Sequence, residues 1–272
     1  MENEILSSLE QKSREARRKI IEISVRHRAA HLGSALSVVD ILICLYFKIL
    51  NINPQNPSWE DRDRLIFSKG HAALALYTVL VERGFSSEDV LNGFYTNGTE
   101  LACHPVIGCM PGVEVSTGSL GHGLSMGVGL AYGMKLDQKS PKVFTIMGDG
   151  ECDEGSVWEA AMAASHLKLD NLIAIIDYNK FQGFGEVKKV MGLEPLGDKW
   201  RSFGWQVKKI DGHDFGQILS AFEESQVEPG KPLIIIAHTI KGKGVPSLEG
   251  RLESHYENPA PDQLDNIFKE LM

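Results

Sequence analysis

The clearest hydrophobic order in the chain lies between residues 142 and 182. An apolar run, Val143 to Met147, has no polar alternation, which suits a strand buried on both faces of a parallel sheet. It stops at Gly148-Asp149-Gly150. An alanine-rich segment, about Ser156 to Leu167, is apolar along one face, as a packed helix requires. A second apolar run, Leu172 to Ile176, ends at Asp177-Tyr178-Asn179. Strand, helix, strand predicts a parallel pair joined by a crossover.

The same reading extends along the chain. Residues 3 to 30 form one long amphipathic pattern, with Ile5, Leu9, Ala16, Ile20, Ile23 and His27 on a common face. Ser37 stands where an N-cap would begin a helix from Val38 to Leu50. A turn rich in Asn and Pro follows, and Asp61 to Phe67 leads into Ser68-Lys69-Gly70-His71. Helices are expected at about Ala72 to Arg83, Glu88 to Phe94 and Ser125 to Leu136. The glycine-rich text from Gly98 to Gly123 reads as irregular, and a long irregular segment in a compact domain is usually functional. Residues 183–197 read as a loop with a weak helix. Strands are expected at Trp205 to Ile210 and Pro232 to Thr239, with a helix from Phe215 to Ser225 between them and a terminal helix from Pro261 to Leu271. About five parallel strands interleaved with helices, and no evident linker, predict a single α/β domain over 1–272: a mostly parallel central sheet with helices on both faces.

Gly127, Gly129 and Gly133 have no strand before them and lie within the helical pattern. They point to close helix packing rather than to a dinucleotide fingerprint.

At 272 residues, 43% hydrophobic and 24% charged, the chain can bury one large core. A net charge of −8 argues against broad affinity for nucleic acid or anionic lipid. No apolar run reaches the roughly 20 residues of a membrane span. The N-terminal text is a polar helix former rather than a signal peptide. Cys44, Cys103, Cys109 and Cys152 form no CxxC pair, so reduced thiols and a cytoplasmic location are expected.

Adjacent parallel strands end on one edge, so Asp149 and Asn179, 30 residues apart, should meet at the carboxyl edge where open α/β sheets bind ligands. A carboxylate with an amide oxygen is a hard donor pair suited to Mg²⁺, which takes its remaining ligands from water and phosphate. Gly148 and Gly150 allow backbone to approach a phosphate. Ordinary turn chemistry gives the same residues.

Longer motifs add to this. AHLGS (30–34), SKGHA (68–72), CHP (103–105), STGSLGHG (116–123), GDGECDEG (148–155), DYN (177–179) and KGKG with a later histidine (241–255) occur in that order. Together they resemble the N-terminal, diphosphate-binding part of transketolases, which use thiamine diphosphate. The chain stops where a full-length transketolase continues into its pyrimidine-binding domain. It therefore resembles the N-terminal subunit of a split, two-gene transketolase.

The resemblance implies transfer of a two-carbon ketol unit from a ketose phosphate to an aldose phosphate, as in the pentose phosphate pathway. It implies thiamine diphosphate and Mg²⁺, with Ca²⁺ or Mn²⁺ able to substitute. It also implies a partner, a C-terminal subunit carrying the glutamate and aromatics that engage the aminopyrimidine, in an α2β2 assembly inactive without it. By resemblance, Asp149, Asn179 and the carbonyl of Phe181 bind the metal. Gly150, Asn179 and His71 face the diphosphate, while Gly118 and Leu120 face the cofactor's rings. His31, His104 and His255 contact the sugar, and Glu154 reaches the subunit interface, an alternative being a helix-terminal acid held by the dipole. The sequence departs from the family pattern at Leu32, Ser119 and His122, where proline, proline and glutamine are common. His27, His166, His213 and His238 fall outside the motifs and are read as structural. Three rival readings stay open: a related thiamine diphosphate enzyme using other sugars or a non-sugar acceptor, a non-catalytic cofactor-binding subunit, and a nucleotide-binding α/β protein.

Overall fold

A computed structural model describes residues 2–223 and 228–271. In chain order the elements are α1 (Glu2–His27), α2 (Leu32–Ser37), α3 (Val39–Cys44), β1 (Arg64–Phe67), α4 (Ala73–Arg83), α5 (His122–Leu136) and β2 (Val143–Gly148). There follow α6 (Gly155–His166), β3 (Leu172–Tyr178), α7 (Val187–Val190), α8 (Leu196–Ser202), β4 (Gln206–Asp211), α9 (Phe215–Glu223), β5 (Leu233–His238) and α10 (Leu264–Glu270). The expected helix after Asp214 overlaps α9; its last two positions, Glu224 and Ser225, lie outside the described residues.

The strands form one sheet in the order β1-β2-β3-β5-β4, and every neighbouring pair is parallel. The expected β2–α6–β3 crossover is present, with Gly148 opposite Asp177 where the two strands end. The unalternating apolar runs have the expected cause. Phe144, Ile146, Ile173 and Ile175 enter one hydrophobic cluster with α1, α3, α4 and α9. Val143, Met147, Leu172, Ala174 and Ile176 enter a second cluster with α5, α6 and α8 on the opposite face. β4, at the edge, is the half-exposed exception.

Two expectations are corrected. Ser37 does not cap a helix running to Leu50. The turn begins earlier, at Leu32, because His31 adopts a left-handed backbone (φ 73°) that starts α2. Ser37 closes that helix, and its hydroxyl donates to Asp177 Oδ2 at 2.6 Å. The expected span becomes α3 and a wider π-type turn, Leu45–Ile49. Of the three helical glycines, only Gly127 makes a close contact: a Cβ there would lie 2.6 Å from Thr145 Oγ1 on β2. A Cβ at Gly129 or Gly133 would meet nothing within 4 Å. Among the described residues, no helix is long and apolar enough to cross a membrane.

Gly127→Ala should destabilise the chain by about 1–3 kcal/mol, the scale of overpacking. Gly129→Ala should leave stability unchanged or raise it by about 0.5–1 kcal/mol through the lost backbone entropy of glycine. Urea unfolding of both variants checks this, and equal effects would contradict the assignment of Gly127 to the sheet contact.

Candidate active site

The carboxyl ends of β2 and β3 open into a cavity of about 280 Å³. Asp149, on the turn after β2, is 2% exposed. Its Oδ2 accepts from the Lys180 amide at 2.6 Å and its Oδ1 from the Gly150 amide at 2.8 Å. The two strand ends are thereby joined through this carboxylate. Asn179 Oδ1 accepts from the Phe181 amide at 3.1 Å and retains a second lone pair. Phe181 is bridged to Glu186, which folds the following loop back over the cavity. Burial, and then the charge of Asp177, push the Asp149 carboxyl up to about 7, against the two amide bonds that favour its anion. Among the described residues, no cationic side chain forms an ion pair with Asp149.

Across the cavity stand four imidazoles. The ring of His31 is 4.6 Å from that of His255, 5.3 Å from His71 and 6.5 Å from His104. A non-glycine residue in the left-handed region is uncommon. At His31 it is held by the residue's amide, which donates to the His255 carbonyl at 2.6 Å. Burial lowers all four rings from the ordinary imidazole value, His31 to about 4 and His255 to about 3, with neighbouring lysines and imidazoles adding to the effect at His31, His71 and His255. The cluster is therefore neutral near pH 7.

Gly118 faces His104. Its φ is +149°, and a Cβ there would sit 2.9 Å from His104 Cδ2, so no larger residue fits. A Cβ at Gly150 would meet the Gln182 side chain at 2.7 Å. Leu120 completes the same wall.

His31, His71, His104, Gly118, Leu120, Asp149, Gly150, Asn179, Phe181 and His255 thus all line one cavity. Glu154 does not: it is exposed at the head of α6, outside the lining. Three lining or flanking groups carry no role in the motif reading. Glu151, 1% exposed, takes the Ser68 hydroxyl and the Gly121 and Gly148 amides, so it fastens three loops at the cavity wall. Lys69 pairs with Asp177 beneath the floor. Lys241, 0% exposed, donates to His255 Nδ1 at 3.0 Å. Among the described residues no carboxylate forms an ion pair with Lys241, and burial and the charge of Lys69 push it down to about 8. KGKG flagged Lys241 as part of a motif, but periodicity gave no hint that it would be buried. Of the histidines expected to be structural, His213 is one: it bridges Asp40 Oδ2 at 2.7 Å and the Ile240 amide at 2.9 Å, away from the cavity.

A larger cavity, about 520 Å³, lies at the opposite sheet edge beside Lys48, Asp63 and Phe144. Its most buried acid, Asp63, is already taken by the amides of Asn51 and Lys142, and it holds no comparable convergence of groups.

This fold and site define a thiamine diphosphate-binding domain, and the family "Transketolase, thiamine diphosphate binding domain" matches residues 11–270. The chain belongs to the transketolase N-terminal family. It is 42% identical to one of the named subunits of the apulose-4-phosphate transketolase of Phocaeicola vulgatus, over 98% of this chain and 94% of that protein. It is 46% identical to the 6-deoxy-6-sulfo-D-fructose transketolase subunit SqwG of a Clostridium species, over 83% and 82%. The transketolase of Leishmania mexicana superposes with a TM-score of 0.89 at 28% identity, over 95% of this chain. The chain spans 40% of that longer protein, so the likeness to one half of a split enzyme, read from the motifs, is met by relatives matched nearly end to end.

The depressed imidazoles have a consequence for stability. A ring with a folded-state pKa below its unfolded value near 6.5 takes its proton more readily in the unfolded chain. Stability is therefore intact above about pH 6.5 and is lost as pH falls toward about 4. Asp149, with its carboxyl raised, acts in the opposite sense over the same window, so the imidazole contribution is read as a difference: relative to wild type, His255→Asn should lose less, or gain more, thermal midpoint as pH falls from about 6.5 to about 4. An unchanged slope in the variant would contradict the neutral cluster.

Proposed function

We propose that this chain is the thiamine diphosphate-binding subunit of a two-subunit transketolase, which transfers a two-carbon ketol unit between sugar phosphates. One observation carries the reading. Asp149, Asn179 and four neutral imidazoles converge in one cavity at the carboxyl edge of a parallel sheet, backed by Lys241, which bonds His255 and among the described residues forms no ion pair with a carboxylate. The residues fit the cofactor by their chemistry. A buried carboxylate short of a cation and an amide oxygen suit Mg²⁺. The buried ammonium of Lys241 and glycine-lined backbone suit a diphosphate. Asp149, Asn179 and the Phe181 carbonyl would hold the metal. Gly150, His71 and Lys241 would face the diphosphate, and Gly118 and Leu120 the rings. When bound, thiamine diphosphate supplies the electron sink that ketol transfer needs.

The chain's own part is to bind and orient. His31, His104 and His255 would meet the hydroxyls of the donor sugar as neutral hydrogen-bonding groups. Lys241 donates to His255 Nδ1, which leaves the proton on Nε2 and makes His255 a donor toward the cavity. Glu154, exposed on α6, would act across the contact with the partner. Phe184, 86% exposed, and Tyr256, 60% exposed, rim the cavity and would be covered by the second subunit. The relatives named as subunits support that partner, and an α2β2 assembly is the stoichiometry we infer.

A second reading concerns only the donor. The relatives named for apulose 4-phosphate and 6-deoxy-6-sulfo-D-fructose match at 42% and 46% identity. A modified sugar is therefore a serious alternative to a pentose phosphate.

A coupled ketol-transfer assay with xylulose 5-phosphate, apulose 4-phosphate and 6-deoxy-6-sulfo-D-fructose as donors tests both. Activity is expected only with the C-terminal subunit present. Asp149→Ala in the complex should lower it at least about 100-fold, the scale of losing a metal contribution of several kcal/mol. The preferred donor decides between the readings, and full activity of the chain alone would refute the two-subunit account.

A further inference from the structure

In the CHP motif, Cys103 directly precedes His104, outside the cavity lining that His104 joins. The sulfur of Cys103 lies 3.1 Å from Nδ1 of His104. The ring is confined on its other side by Gly118, and the His104 carbonyl accepts from the Tyr77 hydroxyl at 3.2 Å, which anchors the main chain on α4. Among the described residues, no protein group is hydrogen-bonded to Nε2 of His104, the ring nitrogen left for a ligand in the cavity wall.

Burial keeps His104 below the ordinary imidazole value, so the ring carries a single N–H near neutral pH. The partner at one nitrogen then decides which nitrogen bears that proton. A thiol is a weak donor and sulfur a weak acceptor, whereas the unprotonated imidazole nitrogen is a good acceptor. Donation from S–H to Nδ1 is accordingly the better of the two arrangements. It places the ring proton on Nε2.

We propose that Cys103 is a positioning residue that holds His104 in its Nε2–H tautomer, so that His104 meets a sugar oxygen as a hydrogen-bond donor and not as a base. This rests on the reading of His104 as a donor-contacting residue. Lys241 imposes the same tautomer on His255 by the equivalent contact at Nδ1. Two imidazoles would then approach the sugar as donors, each fixed by a different neighbour.

The test uses the ¹⁵N-labelled full chain and two-bond ¹H–¹⁵N correlation of the histidine rings, with His104→Gln for assignment. Wild type should show His104 unprotonated at Nδ1. Cys103→Ser, which keeps a donor, should show the same tautomer, and Cys103→Ala a mixture of both. In the two-subunit complex, Cys103→Ala should raise the KM for the donor sugar about tenfold with a smaller change in kcat, the weight of one correctly offered hydrogen bond. Cys103→Ser should restore most of that loss. A wild-type ring protonated at Nδ1, or a Cys103→Ala spectrum and donor KM equal to wild type, would overturn the proposal. The expected tautomers in a complex without ketol transfer would overturn the functional reading and leave the Cys103 contact standing.

Discussion

The buried pair of Lys69 and Asp177 holds the site together. Neither side chain is more than 1% exposed, so both charges have lost water, and removing one partner would strand the other. Asp177 also takes the hydroxyls of Ser37 and Thr239, and Lys69 donates to the Ser34 carbonyl at 3.0 Å. Burial opposes ionisation of Asp177, yet Lys69 and the two hydroxyls hold its carboxyl below the usual carboxylate range. Segments after β1, in α2, in β3 and after β5 are thereby tied to one point. Two of them reach the cavity lining within two residues, Lys69 to His71 and Asp177 to Asn179, and a third runs from Thr239 to Lys241, which bonds the lining residue His255. A fully satisfied polar network of this kind fixes one arrangement, which a cavity lined by single residues from distant segments requires.

Above that node the charges are unbalanced in opposite senses. Asp149 carries a carboxyl raised toward neutrality by burial, and Lys241 an ammonium lowered by it. Among the described residues, neither has a partner of opposite charge in direct contact, unlike Lys69 and Asp177 just beneath. A metal cation and a diphosphate arriving together would relieve both. The neutral imidazoles across the cavity add no charge of their own.

Much of this was legible in the sequence because the signals were local or repeated. The apolar runs 143–147 and 172–176 have the form of strands buried on both faces, and their shared edge follows from the crossover. The ordered motifs then named ten residues that the fold brings to one cavity. What stayed hidden depended on tertiary burial. Lys241 and Glu151 look like surface residues by composition, and only packing shows that they are enclosed. Ser37 read as a cap because serine before an apolar stretch usually is one, and the left-handed turn at His31 that shifts the helix start leaves no mark in periodicity. The glycines of α5 look alike in the sequence, but only the sheet position of Thr145 separates Gly127 from Gly129 and Gly133.

The central claim is that this cavity binds thiamine diphosphate through a metal held at Asp149. Calorimetric titration of thiamine diphosphate into the chain, alone and with its C-terminal subunit, tests it directly when repeated with Mg²⁺, with EDTA and with Asp149→Ala. The account predicts binding that requires Mg²⁺ and is lost in the variant. Binding indifferent to both Mg²⁺ and Asp149, or no binding even in the two-subunit complex, would contradict it.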